Sequence, residues 1–342
     1  MKNWNDMPKE IKCKIVGNMD IVTRTKLKMC SKADKTLVES VPFKIKRFFA
    51  QRFVMPTFER IIATLDNFLN IEAHNGNMVI WRNGKRKEFQ FRSYQEAFKF
   101  MEKQLVEILM SGLIQIERFE TNMSFPLKLH NYQPKMKVET IKLDIENGYD
   151  ILQWLNVMNP DDVEVLDLTE KTCPDFLAMN EIGSHSVMKN AKELVIPRNN
   201  NMNDDQLLNL KCEKLEMSTV MQQIYGKRAV YGVTSAGIRR LIEKVIASDY
   251  PIESYWKIGG NFNLDTILAG LKHARNPYNA RLKETKVQVP INKDKKLELL
   301  WRERNIEVSV VPPNAPLDKP SVDLDAHDRL AAMLAAMQMR CF

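Results

Sequence analysis

A six-residue cassette, apolar-x-x-apolar-x-apolar, recurs along the chain and constrains its fold more than any other feature. The copies are Val138-x-x-Ile141-x-Leu143, Val163-x-x-Leu166-x-Leu168, Ala191-x-x-Leu194-x-Ile196 and Cys212-x-x-Leu215-x-Met217, with a weaker one at Glu253-x-x-Trp256-x-Ile258. The alternation at the end of each copy is that of a strand buried on one face. Successive copies start 25, 28, 21 and 41 residues apart. Self-similarity at roughly 20 to 29 residues is the period of solenoids built from one strand and one return. The returns are clearest at Asp150 to Met158 and at Thr234 to Ala247, where Ile238, Leu241, Ile242, Val245 and Ile246 share a face behind a Thr-Ser cap. Such units predict parallel strands, a stacked core and a solenoid-like curve. A single α/β domain of unrelated amphipathic strands is the competing arrangement.

In the repeat geometry the residues flanking the second apolar position line the open face of the sheet. They are Thr140, Lys142, Val165, Asp167, Glu193, Val195, Lys214, Glu216, Tyr255 and Lys257. Mixed in charge and modest in size, they define a candidate binding surface without naming its ligand. Upstream, Asn-Gly turns between alternating runs from Phe58 to Phe91 predict an antiparallel meander of three or four strands. A helix at about Tyr94 to Met110 closes it, with Phe98, Met101, Leu105, Ile108 and Leu109 in one stripe. Downstream, residues 264 to 275 and 295 to 304 read as helices and 306 to 311 as a strand. Pro312, Pro313 and Pro316 then open a tail expected to be flexible, in which Asp328 to Met339 is a good helix former.

The basic charge is local. Residues 1–52 hold thirteen Lys and Arg against five Asp and Glu, and the other 290 residues are balanced at 38 of each. An acidic partner for the N-terminus follows. There Met7, Ile11, Ile15 and Met19 recur four apart with Val16 beside them, which is one amphipathic helix. Asp6 is placed to cap it and Pro8 to occupy its first turn. A second helix starts at Thr23 and leads into Leu27 and Cys30; a third follows the Ser31-x-x-Asp34 capping pattern into Leu37 and Val38. Three helices in so few residues bury little by themselves, so part of their apolar surface belongs to a partner.

Trp4, Asp6-Met7-Pro8, Glu10-Ile11, Lys14-Ile15-Val16, Met19-Asp20, Thr23-Arg24, Leu27, Cys30-Ser31-Lys32, Asp34 and Leu37-Val38 together resemble an F-box, most closely the type expanded in nematodes. Met7 stands where Leu is usual, and Asp34 where many F-boxes carry an aromatic. The resemblance implies docking on the acidic Skp adaptor, and through it on the cullin of an SCF-type ubiquitin ligase. It makes Met7, Pro8, Ile11, Ile15, Val16, Leu27 and Cys30 the adaptor-facing or module-packing residues. The cassettes are similar to degenerate leucine-rich repeats. The expected organisation is therefore an α+β and α/β chain: an F-box at 1–45, a linker helix with the meander and its helix at 46–112, a leucine-rich-repeat-like α/β domain at 113–311, and the tail at 312–342.

No catalytic constellation accompanies these features. The five His are dispersed, the five Cys never fall at C-x-x-C spacing, and no phosphate-binding Gly loop or nucleophile elbow occurs. A non-catalytic recognition subunit without metal or cofactor is the expectation. The polar N-terminus and the absence of a long apolar run point to a cytoplasmic or nuclear chain with no membrane partner. Two alternatives remain at this level. Basic, aromatic Phe43 to Phe53 reads as a linker helix or as a platform for single-stranded nucleic acid. A scaffold without ligase coupling is the other.

Overall fold

Three short helices open the chain: α1 (Lys9–Gly17), α2 (Ile21–Lys28) and α3 (Lys32–Ser40), preceded by a 3-10 turn at Trp4–Asp6. The computed structural model describes residues 4–19, 21–55, 58–66, 69–74, 76–82, 84–109, 114–124, 136–145, 147–169, 177–219, 222–224, 227–229, 232–276 and 284–317. Pro8 itself is the N-cap of α1 and no side chain bonds there, so Asp6 does not act as the expected cap. Ser31 does cap α3, accepting the Asp34 N–H at 3.0 Å and donating to its carboxylate at 2.7 Å. Val16, Leu37 and Val38 form a small core of their own, with Trp4, Cys13, Met19, Leu27 and Val41 packed around it.

The segment expected to be a linker helix is a strand, β1 (Phe43–Met55). Among its described side chains Ile45, Phe48 and Ala50 are buried, the spacing of the cassette, and both of its edges are paired. Asp66, in the left-handed region at φ 44°, receives the N–H groups of Lys46 and Arg47 at 3.1 and 2.7 Å. Those amides fall where the cassette spacing interrupts alternation, so the carboxylate satisfies backbone donors at the kink. An antiparallel meander of β2 (Phe58–Leu65), β3 (Leu69–His74), β4 (Asn77–Arg82) and β5 (Lys85–Gln90) extends from β1. Helix α4 (Tyr94–Leu109) buries Ala97, Met101, Leu105 and Leu109 in the same core as the meander.

Strands and helical returns then alternate through β6 (Ile114–Thr121), β7 (Lys137–Leu143), α5 (Gly148–Val157), β8 (Val165–Asp167), α6 (Ser186–Asn190), β9 (Glu193–Asn200), α7 (Asp204–Asn209) and β10 (Lys214–Thr219). A separate hairpin of β11 (Gln222–Ile224) and β12 (Lys227–Ala229) precedes α8 (Ser235–Ala247), β13 (Tyr255–Gly259) and α9 (Leu264–Leu268). The last strands are β14 (Ala274–Arg275), β15 (Glu284–Pro290), β16 (Lys296–Arg302) and β17 (Asn305–Val311).

Among the described residues all strands except β11 and β12 join one mixed sheet, in the order β14-β15-β16-β17-β13-β10-β9-β8-β7-β6-β1-β2-β3-β4-β5. Its middle is parallel and follows the chain from β1 through β6, β7, β8, β9 and β10 to β13. The second apolar positions of the cassettes are register partners: Ile141, Leu166, Leu194, Leu215 and Trp256. Phe119 and Phe48 continue the row, which adds Ile116-x-x-Phe119-x-Thr121 and Ile45-x-x-Phe48-x-Ala50. The two rings stack at 4.7 Å. The meander and α4 separate these two copies in sequence, and a Thr ends one of them, which conceals both from a periodicity search.

Two expected helices are corrected. Of residues 295–304, Lys296–Arg302 form strand β16, in which Leu297 and Leu299 alternate with Glu298 and β15 and β17 hydrogen-bond on either side. Helix α9 stops at Leu268, short of the expected 275, with Gly270 in the left-handed region at φ 73°. The returns α5, α7, α8 and α9 bury their apolar faces in the core that also holds the cassette residues, whereas the core of the N-terminal helices is a separate cluster. The tail is described only to Leu317, and its expected helix at Asp328 to Met339 lies outside the described residues.

Candidate functional site

The N-terminal helices sort the seven residues expected to serve an adaptor. Val16 is fully buried, and Leu27 packs against the same small core. Met7 and Ile15 are half-buried, Pro8 and Cys30 exposed, and Ile11 is 48% exposed. Pro8, Ile11 and Ile15 recur at helical spacing along one flank of α1. Met29, immediately before Cys30, is 82% exposed. It was missed because it falls outside the apolar stripe of α2, although an apolar residue off the stripe is itself a sign of exposure. The small core therefore leaves apolar side chains at the surface.

Asp34 has a definite task. Its carboxylate accepts the Trp4 Nε1–H at 2.8 Å as well as the Ser31 hydroxyl, tying the N-terminal turn to α3. The Trp4 bond, then the Ser31 bond, hold the Asp34 pKa below its ordinary value. Arg24 was also missed as an organising residue. It is 3% exposed, and its guanidinium donates to the carbonyls of Met19, Val41, Gly17 and Pro42 at 3.2, 2.6, 3.2 and 3.2 Å.

The open-face residues expected from the cassettes lie in two rows across the parallel strands. Thr140, Val165, Glu193, Lys214 and Tyr255 are successive register partners, as are Lys142, Asp167, Val195, Glu216 and Lys257. The second row is largely self-neutralised: Lys142 pairs with Asp167 at 2.6 Å and Lys257 with Glu216 at 3.0 Å. Such partly exposed pairs contribute little stability, but they commit those charges to one another. On the added copies Glu120, with a side chain only 8% exposed, takes Arg47 at 2.9 Å and also Arg118. In the first row Lys214 is exposed, while Thr140, Glu193 and Tyr255 are half-buried. Burial first, with Glu307 and Glu216 nearby, holds the Tyr255 phenol well above its ordinary range. At the β15 end of the sheet, Asn276 just after β14 and Lys286 and Gln288 of β15 donate to the carbonyls of Leu317, Pro316 and Ala315, so the start of the tail lies against these side chains.

Of the expected aromatic platform at Phe43 to Phe53 only part reaches the surface: Phe49 is half-buried beneath the Arg47 guanidinium at 5.0 Å and Phe53 is 38% exposed. Phe48 is buried against Phe119, and Phe43 lies beneath the Arg24 guanidinium at 5.1 Å. Among the described residues no cluster of three or more His, Cys, Asp or Glu is arranged for a metal, and no helix is long and apolar enough to cross a membrane. Burial pushes the Cys212 thiol up to about 12, which leaves it a neutral core residue at the first position of its cassette. The family described as F-box domain matches residues 4–46, which span α1 to α3 and the first residues of β1. No curated protein matches the chain.

Proposed function

We propose that this chain is the substrate-recognition subunit of an SCF-type ubiquitin ligase, with its F-box module docked on the Skp adaptor and its sheet holding a protein substrate. The reading rests on the match over residues 4–46 together with the apolar surface that α1 and α2 leave open at Ile11 and Met29. Pro8, Ile11, Ile15, Met29 and Cys30 meet the adaptor, Val16 and Leu27 hold the module together, and the local excess of lysines favours the adaptor's acidic surface. The parallel strands act as a leucine-rich-repeat-like scaffold whose open face, from Thr140 to Lys257, takes the substrate. The mechanism is proximity: substrate lysines are held at high effective concentration near a ubiquitin-charged enzyme, and the chain itself performs no catalysis and needs no cofactor. Its setting is the cytoplasm or nucleus.

Co-expression with the Skp adaptor followed by gel filtration tests this reading, with a stoichiometric complex expected. Ile11→Glu places a charge in the centre of the contact and should weaken binding by about 2 kcal/mol or more, on the order of 30-fold. Stoichiometric co-elution of that variant would remove the proposed interface. Absence of any complex with the unmodified chain would favour a scaffold without ligase coupling.

A further inference from the structure

We propose that Arg24 is the positioning residue that locks the three-helix module to the sheet, so that the adaptor-docking patch and the open face move as one body. Two residues separate the end of α3 at Ser40 from the start of β1 at Phe43, and the guanidinium sits at that joint. From one side it takes the carbonyls of Gly17 and Met19, at the C-terminal end of α1. That end carries unpaired carbonyls and the negative pole of the helix, which a buried cation satisfies on both counts. From the other side it takes Val41 and Pro42, the connector itself, and lies over the ring of Phe43, the first residue of β1. Phe43 packs on the main core and Val41 on the small one, so each end of the connector is anchored in a different cluster.

The planar fork is what makes this possible. Its donors diverge in fixed directions and reach four carbonyls on two segments, whereas a lysine ammonium offers a single point on a flexible stem. Among the described residues the two hydrophobic clusters are separate, so the fork adds a polar tie at a joint where only two residues of chain lie between α3 and β1. Orientation matters here only if the module docks on an adaptor while the sheet holds a substrate, so the functional consequence rests on the reading above; the mechanical claim does not.

The test uses the full chain with spin labels on non-natural residues at Lys9 of α1 and Lys99 of α4, both exposed. A single narrow distance distribution is expected for the native chain. Arg24→Ala and Arg24→Lys should lose it and give a broad one, with adaptor binding retained. A native-width distribution in both variants would overturn the proposal. If Arg24→Ala loses helical signal because the module unfolds, Arg24→Lys decides: a broadened distribution supports the fork, and an unchanged one overturns it. The distances are measured on the free chain, so a failure of adaptor binding counts against the docking reading and leaves this result standing.

Discussion

Asp34 shows how one side chain can tie two segments together by hydrogen bonding. Its carboxylate receives the Trp4 indole and the Ser31 hydroxyl. Because those bonds favour the ionised form, the folded pKa lies below the unfolded one. The resulting stabilisation is fully present above the ordinary value of 3.8 and is lost as pH falls through the lowered one. Asp34→Asn should therefore melt earlier than the native module at neutral pH, and the gap should close in strong acid. Thermal melts of the helical signal from pH 7 downward would reveal this; a gap independent of pH would show that the charge is irrelevant.

At the scale of elements, the packing of α7 against α8 reverses an ordinary rule of helix stability. Asn203 and Gln206 form a complete capping box at the start of α7. Asp204 in its first turn then accepts the Thr234 N–H at 2.8 Å and the Thr234 hydroxyl at 2.7 Å, across to the N-cap of α8. Gly237, in the first turn of α8, lies so close that a Cβ would stand 2.0 Å from Asp204 Oδ1. In an open helix Gly→Ala gains about 1 kcal/mol. Here the carboxylate is held by two bonds and cannot withdraw without losing them, so Gly237→Ala should cost about 1–3 kcal/mol. A melting temperature at or above that of the native chain would show that Asp204 has room to move.

At the scale of the molecule, the decisive feature is that among the described residues the two hydrophobic clusters do not merge. A chain lacking residues 1–40 should keep the sheet folded, its main unfolding transition shifting by less than about 4 °C. On the proposed docking, saturating Skp adaptor should stabilise the module in the full chain by about 2.7 kcal/mol at a hundredfold excess over Kd. Differential scanning calorimetry of both forms checks the pair of statements; collapse of the main transition on truncation would mean that the module is integral to the sheet.

Much of this was readable along the chain because it depends on local periodicity. The cassettes from Val138 to Ile258, the Asn-Gly turns of the meander, the stripe of α4 and the three starting helices are each written in short-range spacing, which backbone geometry converts directly into a buried face. The failures lie where the same local pattern suits two structures. Leu297-Glu298-Leu299-Leu300-Trp301 satisfies a helical face and a strand face alike, and only the neighbours β15 and β17 choose the strand. Phe43 to Phe53 resembles a basic helix until its pairing with β6, a partner some 70 residues away, makes it the first parallel strand. For the candidate surfaces, residue identity alone singled out Ile11 and the two rows but left Val16 and Cys30 in one group; burial separates them. Lateral pairing of Lys142 with Asp167 and of Lys257 with Glu216, and the convergence of four carbonyls on Arg24, required the assembled sheet and module, because each brings together groups that the chain itself keeps apart.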